Sequence, residues 1–105
     1  MSRYTQIKKT AAKLIDRFGM DAVIRRQGGT DYPVRVVITE YKPNERDGQF
    51  ITWTDRKALV AALGMEIVPN PETDQLILDQ DLQIVTVTKT SPGGDDVIYE
   101  LQVRR

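Results

Sequence analysis

Two pairs of acidic residues, Asp79 with Asp81 and Asp95 with Asp96, are the first place to look for calcium or magnesium chemistry. Both ions take several oxygen ligands. Neither pair extends into a D-x-D-x-D-G run with a distant glutamate, so both are expected to be solvated turns. Gly28-Gly29 and Gly93-Gly94 lack the G-x-x-x-x-G-K and G-x-G-x-x-G spacings that cradle phosphate at a helix start, and they read as turn glycines. The chain has no histidine and no cysteine. That removes the commonest general base, the commonest transition-metal ligand, a thiol nucleophile and a thiolate zinc site. No G-x-S-x-G elbow occurs, and a serine would lack its usual base. A small enzyme would have to work with carboxylates, lysine, tyrosine and hydroxyls. The expectation is a non-enzymatic protein with no cofactor and no bound metal.

Basic and aromatic residues offer a different chemistry. Lys8, Lys9, Lys13 and Arg17 could form one basic helix face, and Arg25 and Arg26 with Tyr4, Tyr32 and Trp53 could add stacking, as in a module that binds nucleic acid without sequence preference. The formal net charge of zero weighs against this, because dedicated binders usually carry a basic excess. Phe50, Ile51 and Trp53 cluster in sequence, either as core at the start of a strand or as an interface. Basic residues crowd the first third (Arg3, Lys8, Lys9, Lys13, Arg17, Arg25, Arg26, Arg35) and acids the last (Glu66, Glu72, Asp74, Asp79, Asp81, Asp95, Asp96, Glu100). This asymmetry fits either head-to-tail contact between identical subunits or two ordinary solvated faces.

The elements that must position these groups follow from periodicity. At 105 residues the chain fits one domain, residues 1–105, since domains commonly run ~100 to 150 residues. Tyr4, Ile7, Ala11, Leu14, Ile15 and Phe18 draw one stripe on a helix, with Ser2 as N-cap and Gly19 as C′ residue, so residues 1–19 form an N-terminal helix. Packing of Tyr4, Ile7, Leu14 and Phe18 on the rest of the domain would make Leu14→Ala cost about 2 to 4 kcal/mol. The period then changes to two. Strands are expected at 22–27 and 32–41, with Val34, Val36 and Ile38 on one face of the second, and again at 50–54, 75–78, 82–89 and 97–103. The last two are joined through Ser91-Pro92-Gly93-Gly94 as an antiparallel hairpin. Residues 42–49 hold no apolar residue and are expected to form an exposed loop. Arg56 to Leu63 is ambiguous, because Ala58, Ala61 and Ala62 lean helical while Lys57, Leu59, Ala61 and Leu63 alternate as a strand would. The fold class is mainly β with an N-terminal helix, a small antiparallel barrel or sandwich over residues 20–105. The amino terminus lacks the apolar core of a signal peptide and no apolar run reaches membrane-spanning length, so a soluble, unexported chain without membrane contact is expected.

Taken together, several segments resemble the small head-closure, or stopper, proteins of the tailed-bacteriophage head-tail connector. These are the helix ending in Arg17-Phe18-Gly19, Tyr32-Pro33-Val34-Arg35-Val36-Val37 leading to Tyr41, and the polar loop with Asp47-Gly48. They continue with Asp55-Arg56-Lys57-Ala58-Leu59-Val60, the turn from Pro71 to Leu76 containing Asp74, and the closing Tyr99-Glu100-Leu101-Gln102-Val103-Arg104. The resemblance implies a β-barrel-like fold, a strand at 56–63 and a homo-oligomeric ring in the neck of the virion. That ring would seal the packaged genome, contacting portal and adaptor proteins on the head side and tail proteins on the other, with transient contact to DNA. It also implies a channel loop, which by position falls on Lys42, Pro43, Asn44, Glu45, Arg46, Asp47, Gly48 and Gln49, returning at Phe50. Lys8, Lys9, Arg25, Arg26, Phe50 and Trp53 are the expected interface residues.

Overall fold

The computed structural model describes residues 3–42, 44, 51, 54–65, 67–78, 80–91, 94 and 96–105, with side chains from Gln6 onward. A helix, α1 (Arg3–Phe18), precedes six strands: β1 (Met20–Arg26), β2 (Thr30–Glu40), β3 (Arg56–Ala61), β4 (Asp74–Ile77), β5 (Asp81–Thr90) and β6 (Ile98–Arg104). The strands close into an antiparallel barrel in the order β1-β2-β3-β6-β5-β4. Of the two architectures that the periodicity leaves open, barrel or sandwich, the fold is the barrel, with the expected N-terminal helix.

Alternation drives the closure. Ala22 and Ile24, Val36, Ala58 and Val60, Leu76, Leu82 and Ile84, and Tyr99, Leu101 and Val103 all point inward and are buried. A barrel this small has no lumen, so its interior must be filled by side chains. Burying Ile24, Leu76 and Leu101, each 0% exposed, contributes roughly 1.5 to 3 kcal/mol apiece. On β5 a bulge between Ile84 and Thr86 absorbs one residue, which restores Val87 to the inward phase after Ile84. The β1–β2 hairpin turns at Gly28 and Gly29, whose φ angles of 106° and 98° suit residues without a side chain.

The alanine-rich segment is a strand despite its helical lean. Arg56–Ala61 pairs with β2 on one side (Glu40↔Arg56 to Val36↔Val60) and with β6 on the other (Arg56↔Val103 to Ala61↔Ile98). Two ladders outweigh propensity differences of tenths of a kcal/mol per residue. Its small inward residues also fit the crowded interior, where Ala58 is fully buried. The strand expected at 50–54 is not seen in the described part: Ile51 sits in a bend and Thr54 in a turn, while Phe50, Thr52 and Trp53 lie outside the described residues.

Packing of α1 departs from expectation. Ile15 is buried at 5% exposure, whereas Ile7, Leu14 and Phe18 are exposed by 41%, 52% and 68%. At 100° per residue, the stripe through Ile7, Ala11, Leu14 and Phe18 lies about 70° around the helix from Ile15. The helix thus rests on β2 and β3 by its edge and turns its apolar stripe sideways. Because Leu14 is half in solvent, Leu14→Ala should cost under about 1 kcal/mol in a urea titration rather than the cavity penalty of a core leucine.

Gly19 serves here through closeness. Its φ is not positive; instead, a Cβ at this position would collide with the Ile15 carbonyl oxygen and stand 2.7 Å from the Val36 carbonyl oxygen. Both obstacles are backbone. The Gly19 amide donates to the Ile15 carbonyl at 2.8 Å, and Arg35 of β2 donates from Nη2 to the carbonyls of Asp16 (2.8 Å) and Gly19 (2.7 Å). A guanidinium thus covers the carbonyl end of α1, where positive charge is favoured. Gly19→Ala must push the helix off β2. Hydrogen exchange should then show loss of protection across α1 with the barrel amides retained; unchanged α1 protection would contradict this docking.

Candidate assembly interface

The residues singled out as a basic interface have separate positions and partners. On α1, Lys8 is partly buried and Lys9 exposed. Arg25 pairs with Asp31 across the β1–β2 hairpin (Nε to Oδ1 2.9 Å, Nη2 to Oδ2 3.3 Å). Arg26 donates two bonds to Asp74 at 2.9 and 3.1 Å and lies over the Tyr32 ring at 5.8 Å. Arg35 adds a bond to Asp21 at 2.9 Å. Three of the eight basic residues of the first third, Arg25, Arg26 and Arg35, thus have carboxylate partners within the chain. Of the channel-loop residues, Lys42 and Asn44 are exposed. Pro43, Glu45, Arg46, Asp47, Gly48 and Gln49 lie outside the described residues, as do Phe50 and Trp53.

The carboxylate pairs are described only in part. Asp81 is exposed at the start of β5, and Asp79 and Asp95 lie outside the described residues. Asp96 accepts from the Ser91 and Tyr99 hydroxyls, and these bonds, with Lys89 and Lys8 nearby, hold its carboxyl below the ordinary carboxylate range. Among the described residues no three His, Cys, Asp or Glu side chains are placed to hold an ion. Nor is the helix long and apolar enough to cross a membrane.

Two buried aspartates staple the barrel instead. Asp55, 0% exposed, precedes β3 and accepts from Gln102 Nε2 at 2.7 Å and from Arg104 Nε and Nη2 at 2.9 and 2.8 Å. Gln102 in turn accepts from the Thr86 hydroxyl at 3.1 Å, which extends the network to β5. Asp74 opens β4, where Arg26 and the Asn70 amide (2.8 Å) both donate to it. Burial alone would push the Asp74 carboxyl up, but the bonds from Arg26, Asn70 and Thr73, with the Arg26 charge, together hold it below its usual value. A lowered folded-state pKa adds stability that is present above the unfolded value, ~3.9, and is lost as pH falls through the lower folded value. The thermal midpoint should therefore hold from neutrality to about pH 5 and fall below about pH 4. Asp74→Asn should be less stable at neutrality and decline less steeply in acid. An identical acid slope in both proteins would contradict this role.

An open apolar groove lies beside α1. One wall is Ile7, Ala11, Leu14 and Phe18, and the other is the outer face of the barrel at Val37, Leu59 and Ile98, with a volume of about 620 Å³ between them. The register explains this face: Val37 pairs with Leu59 across β2 and β3, and Ile98 opens β6 opposite Ala61. Arg17 lies over the Phe18 ring at 5.4 Å, at the carboxyl end of the groove. Sequence reasoning found the helical stripe but assigned it inward; the apolar residues at outward strand positions, Val37, Leu59 and Ile98, were the available sign that a second apolar surface exists. Such a surface can bind by area and shape. Compared with protein families, curated proteins and solved structures, the chain matches none of them.

Proposed function

We propose that the chain is a structural component of the tailed-phage neck, where a homo-oligomeric ring of it closes the portal channel after packaging and gives the tail its platform. The observation that carries the assembly reading is the open groove: Ile7, Leu14 and Phe18 are exposed on one wall, against Val37, Leu59 and Ile98 on the other. A small domain gains from partners that cover such surface. A closed barrel with one N-terminal helix is also the fold that the resemblance to head-closure proteins implies. Every strand has a neighbour on both sides, and in this proposal contacts with other subunits are made by side chains and α1. The channel element of this proposal is the apolar-free segment from residue 42 to 49.

The competing reading is a small-barrel module for nucleic acid. Its support is thinned by the carboxylates that occupy Arg25 and Arg26. Size-exclusion mass with and without single-stranded DNA, at low and moderate salt, separates the two. The assembly reading expects a mass independent of DNA; a complex with DNA that dissolves steeply with salt would replace it.

A further inference from the structure

The groove beside α1 has a spacing, a length and a charge that specify its occupant. Ile7, Ala11, Leu14 and Phe18 follow one another at intervals of four, three and four residues, the seam spacing by which one helix packs against another. From Ile7 to Phe18 the axis runs about 16 Å, which matches three turns of a second helix. Val37, Leu59 and Ile98 supply a second apolar wall, so an occupant would be packed on two sides. Arg17, exposed and over the Phe18 ring, stands about 90° around the helix from the seam, on its solvent side. The helix carries five basic residues (Arg3, Lys8, Lys9, Lys13, Arg17) against the single acid Asp16. A second copy's α1 laid along this seam would bring like charge to like charge, which disfavours self-pairing.

We infer that the groove docks an amphipathic helix from a partner protein, with apolar residues at three-and-four spacing and acidic residues on the flank that meets Arg17. This deepens the assembly reading and rests on it only for the existence of a partner. The full chain is titrated into two fluorescein-labelled synthetic helices that share one leucine stripe, one flanked by glutamates and the other by lysines, and anisotropy is followed at low and moderate salt. The glutamate helix should bind at least about tenfold more tightly, with the gap narrowing as salt rises. Leu14→Glu should abolish binding, and Arg17→Glu should remove the preference for the glutamate helix. Both positions are exposed, so the variants should melt like the parent; where Leu14→Glu does not, Leu14→Ser takes its place. Equal binding of the two helices, or binding that survives the change at Leu14, overturns the inference. So does concentration-dependent self-association that the Leu14 change abolishes, which would assign the groove to a second copy. Since no phage component enters the titration, its outcome is independent of whether the chain occurs in a neck.

Discussion

Arg104→Ala is expected to lower the unfolding free energy by about 1.5 to 3 kcal/mol, the range for hydrogen bonds to a charged group, since Asp55 is fully buried while Arg104 keeps 31% of its side chain in solvent. Asp55 has no solvent access and receives three N–H donors, two of them from the Arg104 guanidinium. Without Arg104 its carboxylate keeps Gln102 but loses the opposing charge. The network joins the start of β3 to β6 and, through Gln102 and Thr86, to β5, so the loss falls on the seam between three strands. Domains of this size are stable by only ~5 to 15 kcal/mol, which makes this a large fraction of the total. Arg104→Lys should recover part of the loss, because an ammonium restores the charge without the two-pronged geometry. Replacing both partners by apolar residues should cost less than Arg104→Ala alone. Urea midpoints check the series; a loss under about 1 kcal/mol for Arg104→Ala would mean that Asp55 is not held as a charged group.

The second large effect belongs to the proposed channel segment. Replacing Pro43 to Gly48 with a short glycine-serine link should leave barrel folding and ring formation intact and release packaged DNA from the head. Residues 42 to 49 contain no apolar side chain, so they bring no buried area to offset an ordering cost of roughly 1 to 2 kcal/mol per residue. Around a ring, Glu45 or Asp47 of one subunit can meet Lys42 or Arg46 of the next, and repetition multiplies a contact of only ~0.2 to 1 kcal/mol. The readout is the fraction of particles that retain their genome. Normal retention after the replacement would contradict a gate and leave the segment as an outer-surface feature.

The barrel was legible because its strands carry the period-two signal in its plainest form. Val97, Tyr99, Leu101 and Val103 alternate with Ile98, Glu100 and Gln102, and the hairpin they predict is present. The segment from Arg56 to Leu63 was ambiguous for a physical reason: three alanines state a local preference, while the two flanking ladders that overrule it come from segments far away in sequence. The stripe on α1 was visible as well. Its rotation was not, since a helical pattern gives the angular spread of apolar residues and not the direction in which the rest of the domain lies. Sequence reading also missed that Gln102, at an outward strand position, would be buried beside Asp55. Asp55 and Arg104 stand 49 positions apart, and no local pattern links them. Gly19 was placed correctly at the helix end but for the wrong cause, because backbone contact with β2 exists only in the folded domain.

The central claim, that this chain is an assembly component of a phage neck, is tested most directly by electron microscopy of particles from cells that co-express it with the products of its flanking genes. The account predicts a ring of this barrel at the head-tail junction, with each subunit's α1 groove covered by a neighbouring protein, and loss of the ring's density with Leu14→Glu. Particles that are complete and infectious without the chain, with the protein recovered as a free monomer, would contradict it.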